Sequence, residues 1–332
     1  MLSGTLSRAK PQRISMQRPE SLRSERPPHA YSKAAGVRFW GFRGPLGAWL
    51  CIWGALAMIT SAPFDDWWHN AYGLDVKVLS PPHLVLALGF TTIQLGALLM
   101  VLAHQNRDPA RSKGLAWLAA YAAGVLVVNT TIMAFEYLAF PNDGHNALYY
   151  QIAAGILPIL LVAAHRSVGL AWPATAVALV YMGITAAMIW LLQLFPAQAK
   201  LAPIYNPVTH MVPPPFPLLL VVPAVAIDWV LRRRAPSNDW LRAPIVAATF
   251  LGVFLAVQWF FTAFLISPAS ENFIFGAQRW DYNSRVGPWA HQFWDIEESP
   301  LTLGALGIAA IIAVASTRLG LWWGNWLARA QR

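Results

Sequence analysis

Apolar residues in this chain gather into long runs separated by short polar stretches. Eight runs stand out, at about 45–62, 82–104, 115–140, 148–165, 170–195, 216–232, 243–267 and 301–323. A helix that crosses a bilayer needs about 20 consecutive, mostly apolar residues. The pattern therefore predicts an all-α, polytopic integral membrane helix bundle of about eight transmembrane helices, with the first, fourth and sixth runs the shortest. Pro81–Pro82 and the Pro213–Pro215 run with Pro217 predict rigid starts of helices, because proline is tolerated in a first turn.

The polar positions set the expected orientation. Nine Lys/Arg precede residue 45, and eleven more fall at Arg107, Arg111, Lys113, Arg166, Arg232, Arg233, Arg234, Arg242, Arg318, Arg329 and Arg332. The alternate loops hold only Lys77, Lys200, Arg279 and Arg285. Basic residues mark cytoplasmic loops, so both termini are expected in the cytoplasm and the protein in the inner (cytoplasmic) membrane as a multi-pass chain. This asymmetry accounts for the net charge of +9 and makes nucleic-acid binding unnecessary. With charged residues at 12%, against roughly 25% in soluble domains, the lipid bilayer is the expected solvent. Residues 1–44 read as a disordered basic cytoplasmic tail without a cleavable signal, and residues 45–332 as the transmembrane helical domain. The single cysteine, Cys51, excludes internal disulfides and thiolate clusters, so a bound metal would take nitrogen and oxygen ligands. Tryptophans near the run ends, such as Trp67, Trp68, Trp322 and Trp323, fit interfacial belts.

Candidate chemistry concentrates in residues 65–83, DDWWHNAYGLDVKVLSPPH. Asp65 and His69 are four apart and share a helix face; His83 opens the next apolar run and could close a site from a second element. A carboxylate beside the bilayer costs desolvation unless it is paired or bound. Asp66 points about a hundred degrees away from Asp65 and is expected to face water or to orient a ligand. Glu136, the one acid well inside an apolar run, is a candidate to support a ligating histidine or to ligate. Asn206 and His210 repeat the spacing in NPVTH: His210 is a candidate fourth metal ligand pointing toward the same cavity, and Asn206 suits either capping a helix or supporting a ligand. His145 and His291 read as separate interfacial histidines. Asp228 is expected to meet Arg232 one turn later.

The Asp65-x3-His69 pair, with Trp68 directly before the histidine and Ser-Pro-Pro-His83 closing the stretch, resembles the copper-site motif of the C subunit of the copper membrane monooxygenases, the particulate methane and ammonia oxidising enzymes. The resemblance spans about residues 65–83. Thirteen residues separate the two histidines here, against twelve in the family motif. The family's Asn-x3-His set finds Asn206 and His210, but its third member would fall on Ala224. The resemblance implies copper on Asp65, His69 and His83, with zinc or iron as the lesser alternatives. It also implies oxidative chemistry on a small apolar substrate, with other membrane subunits and an electron donor as partners. Two other uses suit the same ligands: non-enzymatic metal uptake, delivery or complex assembly, and hydrolysis by zinc-activated water. For hydrolysis the chain offers no HExxH motif.

Overall fold

The computed structural model describes residues 36–73, 80–110, 112–198, 209–233, 238–278 and 299–331, apart from the side chains of Phe135 and Glu136. A short hairpin, β1 (Val37–Phe39) and β2 (Phe42–Gly44), leads into the helices α1 (Leu46–Tyr72), α2 (Pro81–Arg107), α3 (Lys113–Met133), α4 (Phe135–Leu138), α5 (Ala147–Ser167), α6 (Pro173–Leu192), α7 (Val221–Arg233), α8 (Asp239–Leu265) and α9 (Leu303–Leu327). Among the described residues, seven helices (α1, α2, α3, α5, α6, α8 and α9) are long and apolar enough to cross a membrane. The chain is thus all-helical in its body and has the build of a multi-pass membrane protein.

The last residues of the segment expected as a tail, Val37–Phe39 and Phe42–Gly44, form the hairpin. Arg38 faces Arg43 across the hairpin, and Phe39 packs edge-on against Trp49 and Trp53 of α1. The aromatic residues flanking the turn supply this packing. Of the eight apolar runs, 216–232 does not form a long helix. Residues 211–219 carry no regular secondary structure, and α7 has only 13 residues, about 20 Å at 1.5 Å per residue. Pro81–Pro82 do start α2, but Pro213–Pro215 and Pro217, also read as a helix start, lie in this irregular stretch. Pro213, Pro214, Pro215 and Pro217 carry no N–H, so this segment exposes few donors that need partners. Two that remain are met by side chains: Leu218 N–H donates to the Tyr181 hydroxyl at 3.0 Å and Leu219 N–H to Gln258 Oε1 at 3.3 Å.

Helix α5 is the hub, touching α3, α4, α6, α7, α8 and α9. Its Tyr150, Leu157 and Leu161 are fully buried. Against it, α9 approaches through Gly320 and Gly324. A Cβ on Gly324 would lie 2.9 Å from the Ala163 Cα, so only glycine permits this contact. Asp239 fastens the ends of three helices, meeting Arg166 of α5 at 2.7 Å, Arg242 of α8 at 3.0 Å and Asn325 of α9 at 3.1 Å.

Helix α1 is different. Its buried residues are Gly47, Gly54 and Ser61, spaced seven apart, and its neighbour is α2. On α2 the matching ladder is Pro82, Gly89, Gly96 and Ala103, all buried. Small residues let backbones approach closely, and a seven-residue period keeps the seam facing the partner along the whole hairpin. Gly47 abuts Gly96, and a Cβ on Gly54 would lie 2.5 Å from the Gly89 carbonyl oxygen.

Candidate metal centre

The α1–α2 ladder determines what stands at the loop end of the hairpin. Gly47 opposite Gly96 and Gly54 opposite Gly89 extend to Ser61 opposite Pro82 (each pair sums to 143). Asp65 lies one turn beyond Ser61, His69 one turn further, and His83 directly follows Pro82. Two local signals end the helices at this level. Gly73 stops α1 with φ 86°, ψ 177°, a conformation essentially confined to glycine, and its N–H returns to His69 O at 2.9 Å. Ser80 precedes the Pro81–Pro82 start of α2.

Both imidazoles turn their Nε2 toward one carboxylate oxygen. His69 Nε2 is 3.8 Å and His83 Nε2 3.6 Å from Asp65 Oδ1. Both gaps exceed the 2.7–3.2 Å, roughly, of a hydrogen bond. The side chains are 33% (Asp65), 29% (His69) and 38% (His83) exposed, yet Asp65 Oδ1 itself is closed to solvent and accepts no hydrogen bond among the described residues. A buried carboxylate oxygen without a donor is costly and asks for a cation or water between it and its neighbours. Asp65 Oδ1, His69 Nε2 and His83 Nε2 would be the donors to such a cation, of the oxygen and nitrogen kinds that zinc and copper sites use. As they stand, no group of three or more His, Cys, Asp or Glu side chains among the described residues could hold a metal ion. What the geometry provides is a single carboxylate oxygen flanked by two imidazoles at atom-wide gaps.

Aromatic rings surround this end of α1: Phe64 stacks on Trp67 with centroids 5.9 Å apart, and Trp68 meets Tyr72 at 4.5 Å. Asp66 is exposed, and its carbonyl accepts from Asn70 Nδ2 at 2.9 Å; of its two expected roles, facing water is the one its position matches.

The other candidates fall elsewhere. His210 forms a β-bridge with Pro196, and its Nδ1 lies 3.0 Å from Thr209 Oγ1. Asn206 and His291 lie outside the described residues, as does the side chain of Glu136, whose backbone sits in α4. His145 packs 4.2 Å edge-on against Trp259, and its Nε2 bonds the Trp259 carbonyl at 3.1 Å, a structural role. Asp228 is a correction: its partner is His165, at 2.6 Å, and it also accepts from Ala174 N, Thr175 N and Thr175 Oγ1. It thereby caps α6 from α7. Arg232 instead donates to Ala171 O at 2.9 Å and lies over the Trp172 ring. A helix-period pairing rule sees neighbours on one helix, whereas α6 offered stronger donors across a helix boundary.

No known protein family, curated protein or solved structure matches this chain.

Proposed function

We propose that this chain is an integral membrane metalloprotein in which Asp65, His69 and His83 hold a copper ion at the outer membrane face, and that it oxidises a small apolar substrate. The observation that carries the reading is the pair of 3.6 and 3.8 Å gaps around one solvent-excluded carboxylate oxygen. In this reading the chain crosses the inner membrane eight times with both termini in the cytoplasm, and the irregular 211–219 segment with α7 makes the sixth crossing. Two imidazoles and a carboxylate suit divalent copper, which binds such donors most tightly among the first-row metals. Zinc or iron on the same ligands is the lesser alternative.

When bound, copper would supply redox chemistry with dioxygen. The chain's own residues do the rest. Asp65 offsets positive charge where the dielectric is low, and the histidines fix direction through Nε2. The α1–α2 ladder holds the two halves of the ligand set in register, and the aromatic residues around Trp67 and Trp68 limit water. Electrons must come from outside the chain, from an accompanying membrane subunit or a soluble donor. Asn206 and Glu136 remain candidates to orient ligands.

A second reading is metal uptake or delivery, or assembly of another membrane complex. The exposure of all three side chains, about a third each, favours it, because an exchanging site must be reachable. The test is metal content. Wild type purified from membranes should carry copper near one per chain, and the His69→Ala/His83→Ala variant should carry background only. Equal trace metal in both would sink the site. Substrate-dependent oxygen uptake by the copper-loaded complex then separates the oxidase from the carrier.

A further inference from the structure

Away from the Asp65 cluster, a cavity of about 230 Å³ opens between α3, α6 and the irregular segment, lined by Thr131, Tyr181, Thr185, Met188, Pro214 and Pro217 among others. We propose that it is a binding site for a neutral single-ring alcohol or phenol that enters from the lipid. This does not rest on the metal reading.

Four observations converge. Non-helical backbone at membrane depth is tolerated where it is buried in protein or lines a cavity, and here the proline-rich stretch forms one wall, opposite the middle of α6. Proline fixes φ, so that wall is preorganised. None of the described lining side chains is Asp, Glu, Lys, Arg or His, so the described wall offers no partner to an ion or a charged headgroup. Size bounds the guest: a dry cavity of about 150 Å³ accepts benzene, so this one fits a ring with a short substituent. Access is from the side, since Ile132 and Met188 at its edge are 49% and 41% exposed on faces of α3 and α6 that would meet lipid.

The polar atoms specify the guest's hydrogen bonding. Thr131 Oγ1 donates to Val128 O at 2.8 Å, and Thr185 Oγ1 donates to Tyr181 O at 3.0 Å. Each hydroxyl proton is spent on its own helix, which leaves lone pairs. The Tyr181 hydroxyl accepts the Leu218 N–H and is hydrogen-bonded to the Thr131 side chain, which leaves Thr185 Oγ1 as the acceptor for a guest. An apolar wall with this one threonine acceptor selects a guest that donates one O–H.

The test uses full-length protein in nanodiscs titrated with 4-propylphenol, propylbenzene and 4-propylbenzoate, with partition into empty nanodiscs subtracted. One-to-one saturable binding of the phenol is expected, with propylbenzene roughly fivefold to tenfold weaker, the size of one neutral hydrogen bond, and no binding of the benzoate. Thr185→Val should erase the preference for phenol over propylbenzene while leaving propylbenzene unchanged. Ala139→Phe, which fills the cavity from its other side, should abolish both. Equal binding of phenol and propylbenzene to wild type would mean that the space takes acyl chains only and would overturn the proposal. So would binding that survives Ala139→Phe in a variant of unchanged melting temperature, or no saturable binding at all.

Discussion

Two His–Asp groupings stand at opposite ends of the bundle, and they are built on different terms. His165 and Asp228 meet at 2.6 Å, with Asp228 fully buried and its oxygens further occupied by Ala174 N, Thr175 N and Thr175 Oγ1. Asp65 instead faces two imidazoles at 3.6 and 3.8 Å and accepts nothing at Oδ1 among the described residues. A carboxylate whose work is structural collects donors until its lone pairs are used. At the loop end of α1–α2, the same residue types stop an atom's width short of one another. Identical chemistry in the sequence therefore divides into a closed pair, which holds α5, α6 and α7 together, and an open one, to which the proposed function assigns an ion.

The comparison breaks most visibly at the closed pair. Asp228→Ala leaves His165 and the start of α6 without their acceptor. Unfolding in detergent should show a loss of about 3–5 kcal/mol, as for other broken buried pairs. Copper per folded chain should stay at the wild-type value, because the open grouping lies at the far end of the hairpin. Copper loss in this variant would mean that the two groupings are not independent.

The next effect tests whether the open grouping depends on the ladder. A side chain on Gly89 would strike Met58 Cγ, 2.7 Å from its Cβ, and Gly54 O at 2.9 Å. Gly89→Leu should cost about 1–3 kcal/mol by overpacking and should lower copper content by moving His83 away from Asp65. Gly252→Leu is the matched control: a Cβ there meets nothing within 4 Å, so stability should hold within about 0.5 kcal/mol and copper should not change. Both readouts come from thermal unfolding and metal analysis of the same preparations.

The sequence carried these features unequally. Long apolar runs announce helices directly, because lipid leaves the backbone few other solutions, and seven of the eight runs form helices long enough to cross. The run at 216–232 misled because apolar content says nothing about backbone shape, whereas four prolines within 213–217 argued against a regular helix there. Asp65 and His69 were legible as a pair from the i, i+4 rule. His83 was placed by its position at a helix start, and the reason it lands opposite Asp65 was also printed in the chain. Glycines at 47 and 54 on one run and 89 and 96 on the next define the seam once their seven-residue spacing is noticed. The Asp228–His165 pair could not be read this way, since its partners lie 63 residues apart and meet only after α5, α6 and α7 have packed.

A smaller effect sharpens the question of charge at the open grouping. Asp65→Asn preserves shape and one acceptor oxygen but removes the negative charge. Losing partners that merely orient a ligand costs about 10–100-fold in metal affinity, so weakening a direct ligand should cost tenfold or more in a chelator competition. Stability should rise or stay level, because a buried carboxylate oxygen without a donor is replaced by a neutral amide.

The smallest effect is the most discriminating, because it concerns the next residue along. Asp66 carries the same carboxylate on the same helix, but it is exposed, and a rotation of about a hundred degrees per residue points it away from Asp65. If charge near the hairpin end were all that mattered, Asp66→Asn and Asp65→Asn would weaken copper alike. If the ion is held by one aimed oxygen between two imidazoles, Asp66→Asn should leave the chelator-competition midpoint where it was and change stability by no more than about 0.5 kcal/mol. Equal losses from the two variants would replace a coordinated site with a diffuse acidic surface, and the contrast with Asp228 would then reduce to one of burial.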